Sequence, residues 1–199
     1  MGNLEASIVL AGVGGQGTLI AGKLLGIVAM KLGLDVKVSE VHGMSQRGGS
    51  VITYVKIGKE VHSPIIEEGT ADFLLSFEEV ESVRWASLLK EGGVMIVNSQ
   101  QIESLPVLMG QVQYPDGIVD ALKSAATEGT KIVEIDALDL AMQVGTSKAT
   151  NIVMLGALSN YLGVDEALWK ESIEDAFASK PKTIPGNLKA FELGKQAGA

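Results

Sequence analysis

The sequence contains no cysteine and only two histidines, His42 and His62. Without a thiol the chain cannot form a disulfide, ligate an iron–sulfur cluster or zinc through thiolates, or use cysteine as a nucleophile. Two histidines are also too few for a histidine-rich metal site. We therefore expect no metal site in this chain, and no cofactor held covalently or by cysteine.

Basic residues are scarce as well. The chain has 16 Lys and Arg against 24 Asp and Glu, a formal net charge of −8, and the basic residues are scattered. A surface that follows nucleic-acid phosphates needs clustered Lys and Arg, so no nucleic-acid partner is expected. No apolar run approaches the roughly 20 residues of a membrane span, and no basic-plus-apolar leader precedes the first predicted strand. The sequence predicts a cytoplasmic protein without membrane contact.

Apolar residues and glycine, in contrast, are abundant. The 199 residues are 46% hydrophobic and include 24 glycines. A chain of this size buries about 70% of its unfolded surface without disulfides. Strand-length apolar runs and longer apolar stretches predict one α/β domain over residues 1–199. Its architecture is predicted to be a Rossmann-like mixed, mostly parallel sheet flanked by helices, with a β-hairpin insertion and a helical C-terminal part.

The strongest pattern is a glycine-rich turn, Gly12-Val-Gly-Gly-Gln-Gly17, between an apolar strand and a helix predicted over 17–32. It fits G-x-G-x-x-G, whose glycines allow a tight turn, the approach of phosphates and close helix packing. Free N–H groups at the helix start then face an anion. Tight packing alone also explains such turns. The predicted ligand-binding residues here are Gly12, Gly14, Gly15, Gln16 and Gly17.

A second glycine-rich segment, residues 41–50, follows a strand predicted over 35–39. We expect it at the carboxyl edge of the sheet, where open α/β sheets bind ligands. Its hydroxyl, amide and guanidinium donors suit a phosphate or carboxylate. His42 is the one catalytic candidate, and a packed or solvated histidine in an ordinary connection is the alternative. The predicted binding residues are Ser45, Gln46, Arg47, Gly48 and Gly49.

The rest of the chain alternates strands and helices. A strand over 51–57 is predicted to turn at Gly58-Lys59 and pair with residues 60–63 as an antiparallel hairpin, which makes the sheet mixed. A capping box at Ser76 is predicted to open a helix that ends before Gly92-Gly93. Further strands are predicted over 70–75, 94–97 and 131–135, and helices over 76–89, 117–127, 136–145, 149–162, 165–177 and 187–195.

Glu40 bears on whether the turn binds a dinucleotide. In NAD-binding folds an acid at the end of the second strand, about 20 residues after the glycines, binds the adenosine ribose. Glu40 lies 23 residues after Gly17, which is late. NAD binding is therefore an alternative and not the preferred function.

The two glycine segments together resemble a known family. The turn at residues 12–17 and the segment Ser39-Glu-Val-His-Gly-Met-Ser-Gln-Arg-Gly-Gly-Ser50 are similar to those of the gamma subunits of 2-oxoacid:ferredoxin oxidoreductases. The likeness extends, more loosely, to the C-terminal helices. The version His42-Gly-Met-Ser45 favours the indolepyruvate-like branch over the pyruvate and 2-oxoglutarate members.

This resemblance implies that the chemical steps and cofactors are divided among several subunits. Thiamine diphosphate with Mg²⁺ is expected to carry out oxidative decarboxylation, iron–sulfur clusters to pass electrons to ferredoxin, and coenzyme A to accept the acyl group. These cofactors are expected on larger partner subunits, which agrees with the missing cysteines here. The gamma chain is expected to be inactive alone and to shape the approach of coenzyme A beside the thiamine site, with residues 14–17 and 45–49 on that side.

Two other functions stay open at this point. An NAD(P)-dependent dehydrogenase acting alone would need a proton-transfer residue near the nicotinamide, and His42 is its one obvious candidate. A non-catalytic nucleotide- or coenzyme A-binding module would act as a monomer or homodimer. Neither requires a large companion subunit, so the proteins that co-purify with the chain discriminate among the three functions.

Arg47→Ala is expected to impair ligand binding more than folding. The change should alter stability by no more than about 0.5 kcal/mol, as for exposed substitutions. Loss of a charge-assisted contact should raise the KM for coenzyme A, or for the oxoacid, roughly ten- to hundredfold. Arg47→Lys should restore only part, because a point charge cannot reproduce a bidentate fork. Steady-state kinetics at saturating partner, beside subunit affinity in low and high salt, separates ligand binding from assembly.

Overall fold

The computed structural model describes residues 4–42 and 49–199, and within these ranges the side chain of His42 is left out. The strands are β1 (Ala6–Val13), β2 (Asp35–His42), β3 (Ser50–Gly58), β4 (Ala71–Ser76), β5 (Leu89–Asn98) and β6 (Lys131–Ile135). They form one sheet in the order β2-β3-β1-β4-β5-β6. Only β3 is antiparallel to its neighbours, so five strands share a direction. The predicted mixed, mostly parallel sheet is confirmed.

Helices cover both faces of this sheet. Those in the described ranges are α1 (Thr18–Lys31), α2 (Glu79–Arg84), α3 (Leu105–Leu108), α4 (Ile118–Ala125), α5 (Ala137–Gln143), α6 (Thr150–Leu162), α7 (Glu166–Ala176) and α8 (Ile184–Ala197). Side chains alternate along β1 because successive residues of a strand point to opposite faces. Ile8 and Leu10 join a large core with α1 and α5 to α8, and Val9 and Ala11 join a smaller one with α4.

Two helices are apolar around nearly their whole circumference, α1 and α6. α6 is buried along most of its length between the sheet, α5 and α8. α1 packs on β2 and β3 and also contacts α6 and α7, so other elements of this chain cover much of its apolar surface. Within the described ranges no helix combines the length and apolarity needed to cross a membrane. The cytoplasmic location stays a prediction.

The predicted hairpin partner of β3 is wrong. Residues 60–63 form no strand, and β3 pairs instead with β2 on one side and β1 on the other. Ile52 and Val55 are buried because β3 lies inside the sheet and not at its edge. The chain after β3 is held by a side chain, since the N–H of Val61 donates to Asp35 Oδ2 at 2.9 Å. The antiparallel hairpin is therefore β2–β3.

The helix predicted over 76–89 is also different. Ser76 ends β4, and the helix cap is Glu78, whose carboxylate accepts the N–H of Glu81 at 3.1 Å. α2 is followed by a 3₁₀ turn over 86–88, and β5 begins at Leu89. Gly92 and Gly93 lie inside β5, where its register against β4 shifts. The 3₁₀ turn follows the end of α2 at Arg84, and its last residue, Leu88, lies in the smaller core.

The C-terminal helices are joined by a close crossing of α6 and α8. A Cβ on Gly194 would lie 1.9 Å from the carbonyl oxygen of Val153, and one on Gly156 would lie 2.2 Å from that of Phe191. Real side chains do not fit at such separations, so these two glycines bring the helix backbones into contact. Beside the crossing Trp169 packs on Phe191 with ring centroids 5.4 Å apart. Trp169 and Ile173 are buried, as the helical period predicts.

Gly194→Ala should destabilise the chain. The added methyl group must push α8 away from α6, and overpacking of this kind costs about 1–3 kcal/mol. Gly186→Ala is the matched control on the same helix, because its Cβ would lie 4.0 Å from the carbonyl of Val144. Helix propensity there predicts a gain of up to about 1 kcal/mol. Denaturant unfolding measures both variants, and equal stability of the two would contradict the close-crossing argument.

A salt-bridge cluster predicts a defined pH dependence. Hydrogen bonds from Lys195 of α8 and from Lys170 lower the pKa of Glu166 from 4.5 to about 2. A depressed carboxyl pKa adds stability above the unfolded value of 4.5, and this stability is lost as the pH falls through the folded value. The melting-temperature difference between wild type and Glu166→Gln should therefore shrink as the pH falls from 4.5 to about 2. Glu174→Gln controls for charge, and a difference independent of pH would refute the assignment.

Candidate functional site

The glycine turn lies at the carboxyl edge of the sheet, between the end of β1 and the start of α1. The N–H of Gly14 donates to the carbonyl oxygen of Gly49 at 2.9 Å, and Val13 pairs with Ser50 across β1 and β3. The end of the second glycine segment therefore meets the first turn, as predicted. Ser45, Gln46, Arg47 and Gly48 fall outside the described residues. Their roles, and that of His42, stay predictions.

The structure requires glycine at different positions of the turn for different reasons. A Cβ on Gly12 would lie 2.9 Å from Gln16 Oε1 and 3.1 Å from Phe77 Cβ, so this glycine permits close packing. Gly17 caps α1 in the left-handed region, with φ of 83°, and its Cβ would lie 2.6 Å from Asn151 Nδ2. Gly15 also has positive φ, 107°, but no atom of the described residues lies within 4 Å of its Cβ position. With respect to residues 4–42 and 49–199, Gly15 therefore presents open backbone.

Gln16 is engaged inside the chain. Its Oε1 accepts the N–H of Val13 at 2.7 Å. Its Nε2 donates to the carbonyl of Phe77 at 2.8 Å and to Gln100 Oε1 at 3.1 Å. These contacts fix the turn against the ends of β4 and β5. A side-chain amide has two N–H donors, and both of those of Gln16 are engaged within the chain. Ligand binding by Gln16 stays a prediction.

A cavity of about 380 Å³ opens beside the turn, within the size range of small-molecule sites. The first helical hydrogen bond of α1 runs from the N–H of Ala21 to the carbonyl of Gly17, so the N–H groups of residues 18–20 have no helical acceptor. The first turn contains no acidic residue. Its N–H groups suit an anion. The cavity is lined by Gly14, Gly15, Gly17, Thr18, Leu19, Ile20, Glu40 and Val51.

Glu40 lines this cavity, but the sheet order does not favour a dinucleotide. In a dinucleotide fold the second strand lies beside the first. Here β3 separates them, which increases the distance from about 5 Å to about 10 Å. The NAD alternative therefore loses support.

Three buried acids on or beside α2 form a neighbouring cluster that the sequence analysis did not identify. Glu78, Glu79 and Glu81 are 1%, 8% and 4% exposed. They open a helix, where carboxylates are stabilised by free N–H groups and the helix dipole. The run Glu-Glu-Val-Glu at the start of a predicted helix was the available signal. The predicted capping box uses Ser76 and Glu79 and assigns no role to Glu78 or Glu81.

Each of these acids has defined partners. Glu78 Oε1 accepts the hydroxyl of Tyr114 at 2.5 Å and the N–H of Ile102 at 3.1 Å. Burial, and next the bond to Glu78, raise the pKa of Tyr114 well above its usual value. Glu81 instead accepts from Ser50, the first residue of β3. Glu78, Glu81, Val13 and Ser50 share a cleft of about 310 Å³. The cleft therefore adjoins the glycine turn.

The donor set does not fit an iron–sulfur cluster or a metal ion. The chain has no cysteine. Among residues 4–42 and 49–199, no three His, Asp or Glu side chains are grouped so that they could hold a metal. The buried acids already accept hydrogen bonds from protein donors.

Comparison with known proteins identifies the family. Residues 7–197 match the family described as pyruvate ferredoxin/flavodoxin oxidoreductase. The chain is 45% identical to the indolepyruvate oxidoreductase subunit IorB of Thermococcus kodakarensis over 197 residues, which cover 97% of this chain and 96% of the relative.

Solved structures share the fold. The pyruvate oxidoreductase subunit PORC of Thermotoga maritima matches with a TM-score of 0.74 at 22% identity, over 98% of this chain and 97% of that chain. The 2-oxoglutarate:ferredoxin oxidoreductase of Magnetococcus marinus, solved with 2-oxoglutarate, coenzyme A and succinyl-CoA bound, matches with a TM-score of 0.74 at 23% identity. This match covers 99% of this chain and 31% of the Magnetococcus marinus chain. The chain therefore belongs to the pyruvate ferredoxin/flavodoxin oxidoreductase family, as a small, gamma-type subunit of a 2-oxoacid:ferredoxin oxidoreductase.

Proposed function

We propose that residues 1–199 act as one gamma-type unit of a cytoplasmic complex that oxidatively decarboxylates an indolepyruvate-like 2-oxoacid to an acyl-CoA. Ferredoxin accepts the electrons. The observation that carries the proposal is the hydrogen bond from Gly14 to Gly49, which joins the two glycine segments beside the open start of α1. The substrate class rests on the similarity to the indolepyruvate oxidoreductase subunit.

The complex divides its chemistry between subunits. Bound to a larger subunit, thiamine diphosphate with Mg²⁺ supplies the chemistry of decarboxylation, and iron–sulfur clusters there carry electrons. This placement is supported by the absence of cysteine and by the lack of a metal-ligand group in residues 4–42 and 49–199. The gamma-type chain contributes binding surface and not the reacting groups.

The surface around the glycine turn suits the approach of coenzyme A. The N–H groups at the start of α1 and the open backbone at Gly15 offer hydrogen-bond donors to phosphate. The sequence between β2 and β3 contains Arg47, whose guanidinium is predicted to bind phosphate or carboxylate. Leu19 and Ile20 are about half exposed at the same cavity. When the larger subunit covers this cavity, the side chains of Leu19 and Ile20 exclude water from the bound ligand.

The test is reconstitution from purified subunits. The chain alone should be colourless and should not turn over 2-oxoacids, because it has no cysteine for a cluster. Addition of the larger subunit should give reduction of a redox dye that depends on coenzyme A. Indolepyruvate should be the best substrate among indolepyruvate, pyruvate, 2-oxoglutarate and ketoisovalerate. The larger subunit alone is the control.

Each alternative gives a different result. Turnover of an oxoacid by this chain alone, without thiamine, would reject the subunit function. Tight coenzyme A binding by a stable monomer or homodimer, with no gain from the larger subunit, would indicate a free-standing binding module. A preference for pyruvate would still support the function as a subunit of such a complex and would reject only the indolepyruvate assignment.

A further inference from the structure

Glu81 connects α2 to the strand that follows the second glycine segment. It is 4% exposed. Its Oε2 accepts the hydroxyl of Ser50 and the indole N–H of Trp85, the latter at 3.1 Å. Its Oε1 accepts Arg84 Nε at 3.0 Å. One carboxylate therefore joins three donors, two on or next to its own helix and one on β3.

Ser50 is the link from this carboxylate to the glycine turn. Ser50 directly follows Gly49, whose carbonyl oxygen accepts the N–H of Gly14. Trp85 Nε1 also lies 3.4 Å from Ser50 Oγ, so the serine side chain is held between the carboxylate and the indole. Two adjacent residues, Gly49 and Ser50, therefore connect Glu81 with Gly14.

The hydrogen bonds of Glu81 stabilise different parts of the structure. Its contacts with Trp85 and Arg84 are local to α2 and stabilise that helix whatever β3 does. The contact with Ser50 spans 31 positions and adds nothing to α2 as a helix. It restricts where β3 begins, and charge-assisted bonds of this kind are short and directional.

We propose that Glu81 is a positioning residue of the enzyme. Through Ser50 it holds Gly49 against Gly14 and so sets the geometry with which the glycine turn meets coenzyme A. This assignment rests on the proposed function. Glu81 itself touches no ligand, and its effect is on binding and not on the chemical step.

The experiment measures steady-state kinetics of the assembled complex at saturating larger subunit. Ser50→Ala removes the link and leaves the other bonds of Glu81 intact. It should raise the KM for coenzyme A about tenfold with kcat nearly unchanged, the size expected for one charge-assisted hydrogen bond. Glu81→Gln, which keeps the side-chain shape, should raise the KM in the same direction. Ser50→Thr keeps the hydroxyl and should restore most of the affinity.

Glu79→Gln is the matched control. Glu79 lies on the same helix, is also buried, and bonds to Gln101 Nε2 at 2.8 Å instead of to Ser50. It should lower stability by about as much as Glu81→Gln and leave the KM unchanged. The indole N–H resonance of Trp85, measured by NMR on the full chain, should move in Ser50→Ala and Glu81→Gln but not in Glu79→Gln.

The outcomes separate the two proposals. A wild-type complex whose turnover does not depend on coenzyme A would reject the proposed function. A coenzyme A-dependent wild type in which Ser50→Ala moves the Trp85 resonance but not the KM would reject the positioning role alone. An equal rise of KM in Glu79→Gln would show that the effect is loss of helix stability, and would also overturn the assignment.

Discussion

The insertion of β3 between β1 and β2 is the constraint on which the rest of this structure depends. Because β3 is antiparallel to both neighbours, it begins at the edge where β1 and β2 end. The register places Ser50 opposite Val13 and Gly49 within hydrogen-bond distance of Gly14. Two glycine segments that are separate in the sequence are therefore brought to one edge of the sheet.

The same insertion distinguishes the site from a dinucleotide site. The start of α1 keeps its free N–H groups and its open glycine backbone, which are the features that recognise phosphate. The acid that would take a ribose sits on β2, one strand further from β1 than in a dinucleotide fold. The free N–H groups at the start of α1, which suit an anion, thus remain without the rest of the NAD geometry.

The glycine turn is fixed from several directions by side chains of this chain. Gln16 ties it to the ends of β4 and β5, and Asn151 on α6 donates to the carbonyl of Gly17 at 3.2 Å. Glu81 holds Ser50 on the other side. α6 is itself clamped by the close crossing with α8. These contacts hold the turn in one conformation, and fixing a binding surface before it meets a ligand lowers the entropy lost on binding.

The sequence by itself determined the α/β class, the strand–turn–helix at residues 6–31, the family resemblance and the exclusion of thiolate chemistry. These follow from local patterns, namely apolar periodicity, glycine spacing and composition, which act over a few residues. Tertiary structure decided the partners of β3, the length of α2 and the burial of Glu78 and Glu81. Strand pairing depends on groups far apart in the chain. Gly58-Lys59 was a plausible hairpin turn and residues 60–63 a plausible partner strand, but β3 pairs with β1 and β2 instead. Burial of an acid likewise depends on donors such as Ser50 and Tyr114, which lie 31 and 36 positions away and carry no signal near the acid itself.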